Sequence, residues 1–221
     1  MLNMDFSKRV VLDTRDQNWV ASPMAGVWRK PLAREEAERG HATSIVRYEP
    51  GARFSPHDHP KGEEILVLEG TFSDESGDYP AGSYFRNPEG FRHGPFSEEG
   101  CIILVKLHQF QPDDSEHVCI DTQINGLGSC DFGGSDSAER QRIPLHRHNQ
   151  ERVALEFWPA GTEQDAAELS GGEELYIIKG ELIDDAGRYT EGHWVRNPIG
   201  FQCGARKVEQ DTLFWRKTGH L

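Results

Sequence analysis

Long hydrophobic runs are missing from this chain. No stretch of about 18 apolar residues, the length a membrane-spanning helix needs, occurs anywhere in its 221 residues. The start, MLNMDFSKRVVLDTRD, also lacks the apolar core of roughly 7–15 residues that marks a secretory signal, so a soluble, cytoplasmic protein with no membrane partner is expected. Positive charge is scarce. The 24 Lys and Arg stand against 37 Asp and Glu, for a formal net charge of −13, which excludes sequence-independent binding to nucleic acid and to anionic membrane surfaces. Cysteine is sparse and scattered: Cys101, Cys119, Cys130 and Cys203 form no C-x-x-C pair, so no zinc knuckle or dithiol redox motif is written here. Free, mostly buried thiols suited to a reducing compartment are expected. Helical periodicity is weak as well, confined to the short stretches 32–39 and 164–169.

What is present is a repeat. Residues 62–94 align without gaps to residues 172–204 at an offset of 110, sharing G-E-E, D-x-x-G-x-Y-x-x-G and R-N-P-x-G-F-x-x-G. Matching glycines and prolines matter most, because they mark turns with φ > 0 or φ near −65° at equivalent places. Val10–Thr14 is echoed by Val118–Thr122, and Pro31–Arg34 by Pro144–Arg147, so each half is expected to own its N-terminal strand. Turn-forming residues at 112–115 predict a boundary there, giving domains 1–112 and 113–221. The Gly-, Ser- and Asp-rich stretch 126–134 reads as a loop. Short apolar segments at 43–48, 64–68, 84–86, 101–107, 153–158, 175–178 and 212–215 alternate with turn signals, which predicts an all-β fold of two tandem sandwiches or barrels.

The first half carries chemistry. His57, His59 and Glu63 share one parity, so on an unbulged strand they project from one face while Asp58 and Glu64 point away. His93 follows in the second conserved block. Imidazole nitrogens with a carboxylate oxygen suit a transition metal (Zn, Fe, Mn or Ni) rather than Ca or Mg, and parity favours Glu63 over Glu64 as the carboxylate.

These residues resemble the cupins, whose motifs are G-x5-H-x-H-x3,4-E-x6-G and G-x5-P-x-G-x2-H. Gly51, His57, His59, Glu63 and Gly70 match the first, and Gly82, Pro88, Gly90 and His93 the second. The resemblance implies two jelly-roll barrels, double-stranded β-helices, with His57, His59, Glu63 and His93 converging on one metal per chain. Residues 40–110 further resemble the cupin domain of ChrR-type anti-sigma factors. That implies a sensory or regulatory role, with a sigma factor or other regulatory protein as partner, a small-molecule ligand, and room for homo-oligomers. The N-terminal sigma-binding zinc module of those proteins has an H-x3-C-x2-C pattern, whereas residues 1–40 contain neither His nor Cys. The alternative is a non-haem Fe(II) dioxygenase acting on a small oxygenated substrate.

In the second half the offset maps His57 to Ala167, His59 to Leu169 and His93 to Cys203, and only Glu173 is kept. A degenerate, metal-free barrel is expected, with Cys203 as a small buried residue. His146 and His148 read as loop histidines. Arg86-Asn87-Pro88 recurs as Arg196-Asn197-Pro198, which points to a structural turn. Phe54, Phe72, Phe85 and Phe91 are candidates for a pocket beside the metal, or for core.

Overall fold

The computed structural model describes residues 1–36, 39–122 and 139–221. Every regular element among them is a β-strand, and no helix is long and apolar enough to cross a membrane. The chain divides into two compact units, Met1–Met4 with Gln17–Leu127 and Asp5–Asp16 with Gly128–Leu221.

In the first unit the main sheet runs Val118–Asp121, Ser83–Asn87, Glu63–Asp74, Cys101–Leu107, Ala42–Tyr48, Val27–Arg34 and Val20–Ala21. The second unit repeats the path: Val10–Asp13, His193–Asn197, Glu173–Lys179, Thr212–Thr218, Glu151–Trp158 and Gln141–His148. Shorter strand pairs complete each jelly roll, His57–Asp58 with Arg92–His93 in the first and Ala167–Leu169 with Phe201–Cys203 in the second. The repeat holds residue by residue. His57 faces His93 as Ala167 faces Cys203, and Glu63 faces Asn87 as Glu173 faces Asn197.

Alternating apolar residues supply the cores. Val46, Ile65, Val67, Phe72, Phe85 and Ile103 belong to one buried cluster in the first unit, and Trp158, Leu175, Ile177, Val195 and Phe214 to another in the second. Gly70, inside the strand Glu63–Asp74, and Gly180, just after Glu173–Lys179, close the apolar runs at φ +69° and +81°. A Cβ there would lie 2.1 Å from the Gly100 carbonyl oxygen and 2.4 Å from that of Asp211, so only glycine allows the bend into the short sheet.

Three expectations are corrected. Each half does not own its N-terminal strand: Val10–Asp13 pairs with His193–Asn197 in the second unit, and Val118–Asp121 with Ser83–Asn87 in the first. The units therefore do not divide at 112. Among the described residues neither short stretch is helical. Residues 32–34 end the strand Val27–Arg34, and residues 163–164 and 167–169 are strands, because pairing to neighbouring strands outweighs weak local propensity. His146 and His148 lie on the strand Gln141–His148, not in a loop, with their rings stacked at 6.5 Å. The predicted loop 126–134 and Cys130 lie outside the described residues.

Candidate metal centre

The parity that groups His57, His59 and Glu63 is realised differently from a single strand. His57 sits on the short strand His57–Asp58. The chain then turns through Lys61 and Gly62, at φ 59° and 78°, and re-enters the sheet at Glu63. His93 arrives on the strand paired with His57. The result is a cluster in which the ligand atoms of His57, His59 and His93 all lie within 4.8 Å of one another, the one such three-residue group among the described residues.

The pairwise geometry fits a common ion. His59 Nε2 lies 2.9 Å from His93 Nε2. Two nitrogens each about 2.1 Å from one ion and at right angles would be about 3.0 Å apart. Glu63 approaches from the side, Oε2 3.4 Å from His93 Nε2 and Oε1 3.6 Å from His59 Nδ1. Glu64 points away, into an ion pair with Arg86 at 3.0 Å, and Asp58 pairs with Arg92 at 3.1 Å.

Surrounding groups orient these donors. His57 Nδ1 donates to the Ser55 carbonyl at 2.9 Å, which presents Nε2 to the cluster. Asn87 Nδ2 donates to Glu63 Oε2 at 3.2 Å. His93 Nδ1 donates to Asp74 Oδ2 at 3.0 Å, and Tyr79 donates its hydroxyl to the other Asp74 oxygen at 3.2 Å. A carboxylate behind an imidazole fixes its tautomer and raises its basicity. The sequence pattern assigns Asn87 to a structural turn and gives Asp74 no role at the site, whereas Asn87 ends the strand Ser83–Asn87. Their signal was there, because the second half repeats both as Asp184 and Asn197. Tyr189 likewise donates to Asp184 at 2.7 Å, although the imidazole served by this pair is replaced by Cys203. Asp74→Asn is expected to weaken metal binding about 10- to 100-fold, measured by competition with a chromophoric chelator.

Electrostatics tune the cluster. Burial would lower the pKa of His93, but the hydrogen bonds it donates to Asp74 and Glu63, and their charges, outweigh it and hold the imidazole at about 9. Burial lowers His59. For Glu63, burial opposes ionisation, yet the neighbouring His59 and His93 keep the carboxyl below its ordinary range. In the metal-free protein His93 therefore carries a proton at neutral pH, and an incoming ion must displace it. Binding near pH 7.5 is expected to release about one proton, with release fading and affinity levelling off as pH rises past about 9. Calorimetry in buffers of different ionisation enthalpy checks this, and buffer-independent heats would refute it.

A cavity of about 130 Å³ opens on His57, His59 and Glu63, walled by Val46, Tyr48, Phe54, Ile103 and Val105, with Arg29, Arg34 and Arg39 also on its lining. Of the four aromatic candidates only Phe54 faces it. Phe72 and Phe85 are buried in the core cluster. Phe91 packs edge-on to His93 at 5.4 Å and stacks on His117.

In the second unit ion pairs occupy the equivalent space. Glu173, the counterpart of Glu63, is fully buried and accepts Arg206 at 2.9 Å, Arg216 Nε at 2.7 Å and Asn197 at 3.1 Å. Arg216 faces Leu175 and Ala154 as Val105 faces Ile65 and Ser44, so a cation stands where the first unit has a cavity wall. Burial opposes ionisation of Glu173, but Arg206 and Arg216 hold its pKa at about 2. Cys203 is buried and its thiol pushed up by desolvation.

Two jelly-roll barrels in one chain, the first with a triad of imidazoles beside a cavity, define a bicupin. The profile of the ChrR cupin-like domain matches residues 7–111 and 131–221, and the chain belongs to that family. Among solved structures, a proposed dioxygenase from Nostoc punctiforme is similar at TM-score 0.75 and 17% identity over 97% of this chain and 84% of its own. The nickel(II) complex of the bacterial pirin YhhW from Escherichia coli is similar at 0.70 and 11%, over 96% and 98%. An oxalate decarboxylase variant from Bacillus subtilis follows at 0.58 and 14%, over 95% and 76%. These likenesses establish the shared fold. No curated protein sequence matches significantly.

Proposed function

We propose that the first unit is a metal-dependent dioxygenase of the cupin type: His57, His59, Glu63 and His93 hold one divalent transition metal ion, and a small oxygenated substrate reaches it through the adjoining cavity. One observation carries the reading, that the cavity and the imidazole cluster share His57 and His59, with Glu63 beside them on the cavity wall. Four protein donors leave one or two positions open on a five- or six-coordinate ion, whereas a structural zinc closes at four. When bound, such an ion supplies Lewis-acid polarisation and, if iron, redox chemistry.

The chain's own groups supply the rest. Asp74 and Asn87 fix donor orientation from behind. Val46, Ile103, Val105 and Phe54 line the cavity and keep bulk water from the bound substrate. Tyr48, buried on the same wall, is held a neutral phenol by desolvation and by the charge of Glu63, so its hydroxyl keeps its proton and stays a hydrogen-bond donor. The dioxygenase-like and nickel-bound structural relatives support this reading, as do the donor types.

Elemental analysis of protein purified without added metal, beside the same measurement on His57→Ala, tests the site; about one equivalent, lost in the variant, is expected. Oxygen uptake over a panel of diketones and phenolic ketones tests the chemistry, and tight zinc with no uptake would sink it. A sensory role is the second reading, favoured by the ChrR family match. In it, ligand arrival at the metal alters a surface that binds a sigma factor or other regulator. A pull-down with metal-loaded protein that captures no regulator would end that reading.

A further inference from the structure

Two hydroxyl groups face the imidazole cavity from one strand. Ser44, Val46 and Tyr48 alternate along Ala42–Tyr48 and so share a face, and all three line the cavity. Ser44 is 3% exposed and Tyr48 6%, yet among the described residues no hydrogen bond involves either hydroxyl, a state that burial makes unfavourable unless a ligand or water meets it. The ring of Tyr48 is held in place: it stands edge-on to Phe72 at 5.7 Å and tilts against Phe54 at 5.7 Å. The charge of Glu63 reaches its phenol, so the oxygen lies within electrostatic range of the candidate metal carboxylate. The second unit presents the same face without imidazoles. Where Tyr48 pairs with Cys101 and Ser44 with Val105, Trp158 pairs with Thr212 and Ala154 with Arg216. Both hydroxyls are gone along with the three imidazoles. Trp158 keeps the bulk and a polar atom, but its Nε1 donates to Glu156, the counterpart of Val46, at 3.2 Å. Packing therefore asks for a large ring at this position, and an unpartnered hydroxyl accompanies that ring only beside the imidazoles.

We infer that Tyr48 sets the specificity of this cavity: its hydroxyl pairs with a hydroxyl or carbonyl oxygen of a single-ring ligand whose other oxygen is directed at the metal position. The inference deepens the enzymatic reading above and rests on it for the metal contact alone. Size sets the upper limit. A cavity of about 130 Å³ is slightly smaller than the ~150 Å³ that admits benzene, so one ring fills it. Val46, Ile103 and Val105, also on the lining, give that ring an apolar bed, and Phe54 offers it an aromatic face. The two oxygens serve different partners, so they stand apart on the ring rather than side by side, where both would chelate the ion. A site built to hydrogen-bond a ligand oxygen rejects the analogue that lacks it, because the site's own buried polar group is then left unpaired.

Calorimetric titration of resorcinol and 3-methylphenol, which match in size and differ by a hydroxyl against a methyl group, into zinc-loaded and metal-free protein tests this. Zinc serves because it is redox-inert. A preference for resorcinol of about tenfold is expected in the wild type. Tyr48→Phe, which removes only the hydroxyl oxygen, is expected to bring that ratio to about one while 3-methylphenol binds as before, showing that the cavity and its metal survive. In metal-free protein both phenols are expected to bind more weakly with the Tyr48-dependent preference intact. Failure of the metal reading therefore shows as equal affinity in the two forms and leaves the preference readable. Three results would overturn the assignment: neither phenol binding to either form, no preference in the wild type, or a preference that survives in Tyr48→Phe, as a merely structural tyrosine would leave it. Should Tyr48→Phe not fold, the wild-type ratio decides, and a ratio near one counts against the proposal.

Discussion

His93→Ala is expected to bring retained metal from about one equivalent per chain to background and to weaken affinity roughly 10²- to 10³-fold. Structural zinc sites gain about 10–16 kcal/mol from four ligands, so one ligand accounts for about 2.5–4 kcal/mol, and 1.4 kcal/mol is a factor of ten. His93 stands at the centre of the donor geometry, with its Nε2 near both His59 and Glu63 and its Nδ1 tied to Asp74. No other side chain in the cluster is placed to replace it. His146→Ala and His148→Ala provide the contrast: among the described residues the second unit's histidine pair meets no third donor, so their metal content should equal wild type. Full metal retention in His93→Ala would remove this centre from consideration. Thermal unfolding of the metal-free variant guards against misfolding as the cause.

Arg206→Met is expected to destabilise the second unit by about 3 kcal/mol, because removing one partner of a buried ion pair strands the other charge in low dielectric. Glu173 is fully buried and Arg206 is 3% exposed, so solvent offers Glu173 little relief; Arg216 alone remains to pair it. For a domain of this size that loss lowers Tm by roughly 10–20 °C, read from the fluorescence of the buried Trp158, Trp194 and Trp215. The double variant Glu173→Leu with Arg206→Met should recover part of the loss, since apolar replacements of a buried pair are often tolerated. A variant as stable as wild type would show the network to be dispensable.

The same pair sets an acid limit. The folded pKa of Glu173 lies at about 2 against an ordinary 4.5. Its stabilisation, on the order of 3 kcal/mol, is therefore complete above about pH 4.5 and lost only as pH falls through about 2.

The two variants probe opposite solutions to one problem. A buried glutamate at the same point of the same barrel needs positive charge nearby. The first unit arranges imidazoles for an ion, and the second brings in guanidinium groups. Only half of this contrast was legible beforehand. The loss of His57, His59 and His93 from the repeat was visible as Ala167, Leu169 and Cys203. The arginines that replace their function lie outside the aligned block, on the strands Arg206–Lys207 and Thr212–Thr218, and only folding brings them to Glu173. Phe72 and Phe85 illustrate the converse. Their aromatic character suits a pocket or a core equally, and packing places them in the core.

The sequence by itself determined the repeat, the all-β architecture and the donor spacing, because each depends on local requirements: φ > 0 at glycines, alternation along strands, and motif distances along the backbone. Tertiary structure alone decided which N-terminal strand joins which barrel, which cations fill the second barrel, and that Arg29 and Arg34 share a face with the imidazole cavity. Those outcomes depend on register between distant strands, where a one-residue bulge at 31–33 reverses the face of everything beyond it, and no local pattern records that choice.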